Sequence, residues 1–355
     1  LLPGENVAVA TDEAAHELVV LQVAFGESSG RVTVRQRLAV NAYPVSVVVS
    51  GDGRRAFVAS LWSRRLAIVD LPRDGMAASI AHTVDLPFAP RKQLLVRDDT
   101  RLLVADSFAG RMAIVDAQRG AIVGSRTIPA HNIRGLAASP DGSMLLIAHQ
   151  MLNDFAHSDR NDVHWGLLMS NDLRWVRMDA FLEGAKNLFD GGHMHPLGHA
   201  GSATGDPSGL AIDRDGRVLV STDLDAPRGR AAVTAPGAWT SEHWVDLIPE
   251  DDEAVLESVT LLDGTDLTED VLLVVEILTY ALEGESAADH KAKAPELVVR
   301  AAEIARDCGA EVMKLQHPGS ADACRAVTAA LGGIPWAVLS GGVDHETFLG
   351  HLQVA

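Results

Sequence analysis

Lys314 sits among Val312, Met313 and Leu315 in the run EVMKLQHPG, residues 311–319. A lysine held at the end of an apolar strand is partly desolvated, which lowers its pKa and leaves a neutral amine able to attack a carbonyl. The plainer alternative is a solvated lysine at a strand edge. Ser340, Gly341 and Gly342 follow the apolar run PWAVL, just before Asp344 opens a helical pattern. Backbone N–H groups of such a Gly-Gly at a helix N-terminus can hold a phosphate, or they can simply form a turn. A third group is the histidines, His157, His164, His193, His195 and His199. The string GGHMHPLGH (191–199) spaces imidazoles by two and four residues, which makes His193, His195 and His199 weak metal-ligand candidates. No Asp, Glu or Cys pattern completes a site, so the stretch reads as a polar, glycine-rich insertion loop and no metal is expected. Trp165 and Trp175 beside it read as packing residues. Cys308 and Cys324 give neither a disulfide framework nor zinc spacing. The string C-x-x-C-H does not occur, so no covalently attached haem, and no other cofactor, is expected.

The elements that would carry Lys314 alternate. VLLVVEILTY (271–280) is a continuous apolar run, as a strand covered on both faces would be. A helix is expected over 294–310, a strand over 311–316, a helix over 320–333 closed by Gly332-Gly333, a strand over 335–342 and a further helix over 344–355. Such alternation with short connections reads as parallel βα units, in a doubly wound sheet or a barrel.

The first 230 residues are organised differently. GDGRRAFVASLWSRRLAIVD (51–70) aligns without a gap on RDDTRLLVADSFAGRMAIVD (97–116), an offset of 46. A third copy starts at SPDGSMLLIAHQ (139–150), and a fourth, DRDGRVLVSTDLD, covers 213–225. Short β-rich runs behind Asp-Gly turns, repeated at this period, suit propeller blades that bury their faces only against neighbouring blades.

Charge separates the two parts. Residues 1–230 hold 24 Lys and Arg against 26 Asp and Glu, and residues 231–355 hold 6 against 22, which together give the net −18 of the chain. The acidic excess of the C-terminal part argues against nucleic acid as a partner. No run of about 18 apolar residues suggests a membrane span. No basic segment followed by an apolar one precedes the first repeat, so targeting is not legible.

Two resemblances follow from these strings. The units of the form SPDG-x-x-L-x-I-A ending in I-V-D, over residues 5–225, resemble YVTN-type β-propellers. Residues 131–166 are similar to propellers that accompany di-haem cytochrome c peroxidase-like proteins. The strings KAPELVV (293–299), AEVMKLQHP (310–318) and IPWAVLSGGVDHETF (334–348) resemble the class I tagatose-bisphosphate and sulfofructose-phosphate aldolases. That resemblance implies a TIM barrel that cleaves a phosphorylated ketose to dihydroxyacetone phosphate and an aldehyde. It implies Lys314 as the Schiff base, Glu276 as the acid/base, and Ser340, Gly341 and Gly342 as phosphate ligands. Gln316 stands where the group carries a carboxylate.

The expected fold is therefore multidomain: an all-β propeller over 1–226 with four or five recognisable blades, a junction over 227–255, and an α/β partial TIM barrel over 256–355. The join fits a natural fusion, a truncated frame or a misassembled one. The first functional expectation is a ketose-phosphate aldolase impaired by its incomplete barrel, with a phosphorylated ketose or dihydroxyacetone phosphate as ligand and homo-oligomerisation as a way to complete it. The alternative is a non-enzymatic propeller that binds a protein on its face, as an accessory of a periplasmic peroxidase-like system. The first implies a cytoplasmic protein and the second an exported one.

Overall fold

The computed structural model of the chain describes residues 2, 6–25, 30–71, 77–157, 159–160, 168–197, 210–212, 216–222, 226–235, 238, 241–251, 255–263, 271–279, 284–307, 310 and 312–339. The chain divides into two compact units, Leu1–Ile212 and Asp213–Ala355.

The first unit is built of antiparallel meanders. Strands β1 (Val7–Asp12), β2 (Glu17–Phe25) and β3 (Gly30–Ala39) form one sheet. Strands β4 (Pro44–Val49), β5 (Arg55–Ser60), β6 (Arg65–Asp70) and β7 (Ser79–Asp85) form the next. A seven-stranded sheet follows in chain order: β8 (Pro90–Val96), β9 (Arg101–Asp106), β10 (Ala109–Asp116), β11 (Ala121–Ala138), β12 (Met144–Leu152), β13 (Met169–Arg177) and β14 (His193–Pro196). That sheet is two blades fused through β11. Its first half pairs with β10 as the outer strand of the third blade, and its second half pairs with β12 as the inner strand of the fourth. His131, partnered with both Ala109 and Gln150, marks the crossover. Gly110 makes this possible: a Cβ there would lie 2.1 Å from the Ile128 carbonyl oxygen of β11. Helix α1 (Met178–Glu183) continues β13, with Phe181 buried, and strand β15 (Ala211–Ile212) ends the unit.

The 46-residue repeat is the blade itself, since β5 and β6 map onto β9 and β10 residue for residue. The runs AFVA (56–59) and LLVA (102–105) are apolar throughout because each blade is covered on both faces. Ala56, Val58, Ala67 and Val69 pack with Val7, Leu18 and Val20 of the first sheet. Their neighbours Phe57, Ala59, Leu66 and Ile68 pack on the other side with Leu102, Val104, Ala113 and Val115 of the third blade. Leu103, Ala105, Met112 and Ile114 in turn pack with Leu145, Ile147 and Val176 of the fourth. Each fully buried Val, Leu, Ile, Phe or Met among them contributes about 1.5–3 kcal/mol. The turns repeat too. Ser50 donates its hydroxyl to Asp52, and Asp52 accepts the Arg54 N–H at 3.0 Å. Ser139, Asp141 and Ser143 repeat the pattern, and these hydroxyl and N–H donors, the Ser139 hydroxyl first, hold the Asp141 carboxyl down at about 2.

The second unit begins with antiparallel strands β16 (Val218–Thr222), β17 (Arg230–Thr234) and β18 (Val245–Ile248), so part of the 227–255 stretch is strand. A separate four-stranded sheet holds β19 (Val255–Asp263), β20 (Val271–Leu278), β21 (Val312–Gln316) and β22 (Trp336–Leu339). Helices α2 (Ala287–Asp307) and α3 (Ala321–Leu331) connect its last three strands. Ser320 caps α3 by accepting the Ala323 N–H at 3.2 Å, and Gly332, at φ 61°, closes it. The expected helix over 294–310 starts earlier, at Ala287, where the Ser286 hydroxyl accepts the Asp289 N–H. Val298, Ala301, Ala302 and Ala305 of α2 and Val327 and Leu331 of α3 pack with Met313 and Leu315 of β21.

This sheet corrects the partial TIM barrel. β20, β21 and β22 are parallel, but β19 runs antiparallel to β20, with Val259 opposite Val275. A (β/α)8 barrel is parallel throughout. The described chain is mostly β-sheet, and the α/β barrel pattern is absent from its described residues. The expected last helix over 344–355 lies outside the described residues.

Candidate functional site

The residues expected to do chemistry do not assemble into an aldolase site. The parallel register sets Glu276 of β20 beside Lys314 of β21 and Lys314 beside Ala337 of β22. Lys314 is half-buried between Met313 and Leu315, both fully buried. Gln316 accepts the backbone N–H of Thr279 at 3.2 Å and its hydroxyl at 2.8 Å, so it serves as a bracket between strands β20 and β21. Ser340, Gly341, Gly342 and His199 lie outside the described residues, as do His164, Trp165 and Cys308. His193 and His195 lie on the edge strand β14, their rings 5.0 Å apart, and His193 stacks on Trp175 at 5.2 Å. Burial holds both imidazoles below their usual pKa. Among the described residues no group of three or more His, Cys, Asp or Glu side chains is placed to hold a metal. No helix among them is long and apolar enough to cross a membrane.

Unusual chemistry collects instead at one end of the blades, where the second strand of each blade turns into the third. Pairing fixes the equivalence. Ser60 opposes Arg65, Asp106 follows Ala105 opposite Met112, and His149 opposes Asp172. Ser60, Asp106 and His149 thus occupy one position in three blades, each at most 1% exposed. The Ser60 hydroxyl donates to the Asn41 carbonyl at 2.9 Å. Asp106 pairs with Arg111 at 2.7 Å and accepts the Phe108 N–H at 3.1 Å.

In the fourth blade the position is elaborated. His149 Nδ1 lies 2.9 Å from the Gln150 carbonyl oxygen and must donate to it, which leaves Nε2 to accept from Arg174 Nε at 3.2 Å. Burial foremost, then the Arg174 charge, push the His149 pKa down against the pull of the carbonyl hydrogen bond, so the ring is neutral. Arg174 takes the place of Ala67 and Ala113 in the repeat. Its guanidinium donates to the Met194 sulfur at 3.0 Å and lies 4.8 Å over the Phe189 ring. A chain of amides continues from there, with Gln150 Nε2 donating to Asn171 and Asn132 Nδ2 donating to Gln150.

The same end carries aromatic side chains in the open. Trp62 follows β5 and Phe108 follows β9, at matching places in the repeat; they are 59% and 54% exposed and stack at 5.8 Å. The Tyr43 carbonyl accepts the Leu61 N–H at 2.8 Å, and the Phe108 carbonyl accepts the Asn132 N–H at 3.2 Å. Tyr43, Trp62, Phe108 and the amide network are therefore contiguous. Leu152 and Met169, paired where β12 and β13 part, are also exposed, and Phe155 just beyond is 89% exposed. The opposite end has a cavity of about 1020 Å³ between the second and third blades. Arg55 there already pairs with Asp70 at 3.2 Å and donates to the Ala117 carbonyl at 2.9 Å.

Trp62 and Phe108 align in the repeat, two aromatic residues at one turn position where a soluble turn favours polar ones, and that alignment is their signal in the sequence. Arg174 was also visible, as an arginine in a column of alanines.

No family model matches the chain, and no curated protein sequence matches it. Among solved structures, a protein from Lactobacillus plantarum is 16% identical, with 80% of this chain and 81% of that chain covered at a TM-score of 0.50. The β-propeller domain of Swd1 from Myceliophteria thermophila is 14% identical over 73% of this chain and 77% of its own, at 0.43. Hydrazine synthase from Kuenenia stuttgartiensis is 16% identical over 66% and 77%, at 0.41. Likeness at this identity speaks to fold alone. The expectation of a ketose-phosphate aldolase is overturned, because the described chain is mostly antiparallel β-sheet and the strands around Lys314 are not part of an α/β barrel.

Proposed function

We propose that the chain is a non-enzymatic binding module whose working surface is the turn end of its blades, and that its partner is a protein. The observation that carries this reading is the exposed, stacked pair Trp62 and Phe108, repeated by successive blades and continuous with the buried amide network. Isolated exposed apolar residues are ordinary on a protein surface, but aromatic residues grouped on turns held by a rigid sheet are the composition of an interaction site. The network beneath them fixes the turns, so little conformational entropy is lost when a partner docks. The resemblance of residues 131–166 to propellers accompanying di-haem cytochrome c peroxidase-like proteins makes such a protein the first partner to try.

The test is a binding titration of a purified di-haem peroxidase-like protein, and affinity capture from the source cell, each with the wild-type chain and with a Trp62→Ser/Phe108→Ser variant whose far-UV spectrum and melting are unchanged. Retention in wild type and loss of at least about tenfold in affinity in the variant is expected for two central aromatic anchors. Equal capture by both proteins would remove the aromatic pair, and with it the reading.

A further inference from the structure

The end of the blades opposite the aromatic turns holds the cavity between the second and third blades, and its wall departs from the repeat. The turns from the inner to the second strand read GDG at 51–53 and PDG at 140–142, with Gly53 and Gly142 at positive φ. In the third blade the matching residues are Arg97, Asp98 and Asp99, all three at positive φ, and Asp99, at φ 60°, takes the glycine position. A side chain there carries a conformational cost that glycine does not. The Asp99 carboxylate accepts the Gly51 N–H of the second blade. Arg55 of the second blade donates to the Ala117 and Gln118 carbonyls of the third, at 2.9 and 3.2 Å, while pairing with Asp70. These two bridges tie the blades together where the cavity of about 1020 Å³ lies.

Phe57, Leu71 and Ala117, all buried, give the cavity its apolar lining. Part of its polar lining is not used by the fold. The Arg54 guanidinium on the second blade and the Asp98 carboxylate on the third have no hydrogen-bond or ion-pair partner among the described residues, nor have the Ser79 hydroxyl and the Gln118 amide beside them. Each blade thus contributes one free charge, of opposite sign, to a concave site with an apolar base, as a small-molecule pocket does. A ligand of a single charge answers only one of the two. We infer that the cavity binds a small zwitterion, an amino acid or short peptide, with its carboxylate on Arg54 and an ammonium on Asp98. A guanidinium suits the first role, because its planar fork matches a carboxylate with two parallel hydrogen bonds. Asp52, Asp70, Asp98 and Asp99 outnumber Arg54 and Arg55 in the lining, so the field favours a ligand with an additional amino group. The volume stands at the upper end of the range for small-molecule sites, which suits a dipeptide. The inference is independent of the protein-docking surface, which lies at the other end of the strands.

The experiment is isothermal titration of the full chain at low ionic strength with four probes: lysyl-alanine, glutamyl-glutamate, putrescine and succinate. Wild type is expected to bind lysyl-alanine at least about tenfold more tightly than each of the others, because it alone answers both charges and the acidic excess. Arg54→Gln and Asp98→Asn should each weaken lysyl-alanine by at least about tenfold. Neither side chain has a partner to lose among the described residues, so both variants should melt with wild type. The Trp62→Ser/Phe108→Ser variant should bind the dipeptide as wild type does, which separates the cavity from the docking surface. No binding of lysyl-alanine by wild type would overturn the site, as would unchanged binding by either cavity variant. Binding of any other probe as tightly as lysyl-alanine would overturn the ligand class, because one charge alone would then suffice.

Discussion

The second and fourth blades share one plan and differ in what fills it. In the second, the faces of β5 and β6 are Ala, Phe, Val, Leu and Ile, and the single buried polar group at the strand end is a serine hydroxyl donating to a carbonyl. In the fourth, the matching positions hold His149 and Arg174, tied to Met194, Gln150 and Asn171. Alternating apolar burial makes a blade, so a blade that places a guanidinium where its neighbours place alanine gives up burial and must satisfy every donor it introduces. The difference teaches that the repeat sets the architecture and the departures from it mark the surface that does something.

The largest effect is expected where the blades are alike. Phe57→Ala, at a side chain 1% exposed between the second and third blades, should cost about 3–5 kcal/mol in denaturant unfolding. A loss below about 1 kcal/mol would mean that the blades do not depend on one another. A smaller loss is expected where they differ. Arg174→Ala restores the repeat but strips His149 Nε2 of its donor, and should cost about 1–3 kcal/mol. A gain in stability would mean that the polar blade is merely a tolerated defect. The smallest effect is a slope. His149 titrates below its ordinary 6.5 when folded, so the unfolded chain takes up a proton first as pH falls. Stability should be full above about pH 6.5 and decline below it, until the folded ring also protonates. In melting temperatures followed from pH 8 to pH 5, His149→Gln should flatten this decline without abolishing it, since His193 and His195 are also depressed. Parallel curves for the two proteins would exclude His149 as a source.

The blades were legible because the offset of 46 aligns AIVD on AIVD, and a continuous apolar strand behind an Asp-Gly turn has few other ways to be covered. The single strand β11 was not legible. No motif marks a strand that shifts register on either side of His131 and keeps its pairing with β10 and with β12. In the C-terminal unit the run VLLVVEIL marked a buried strand, but an apolar run carries no sign of direction, so the antiparallel partner β19 could not be foreseen. The strings around Lys314 do form a strand flanked by two helices, as expected of βα units. They specify that local unit and leave the closure of a barrel to strands that are not there among the described residues. The candidate surface was half legible: Trp62 and Phe108 align in the repeat, but the stacking of one upon the other depends on how successive blades lie side by side.

The unbroken β11 has a mechanical consequence. The second and third blades belong to separate sheets, whereas the third and fourth are joined by one ladder of backbone hydrogen bonds from β8 to β14. A blade held by side-chain contact can swing or peel away alone, but these two form a single cooperative unit, in which fraying at β14 is felt at β8. Under load the chain would yield first at a seam between separate sheets, and the fused pair would open last, in one step.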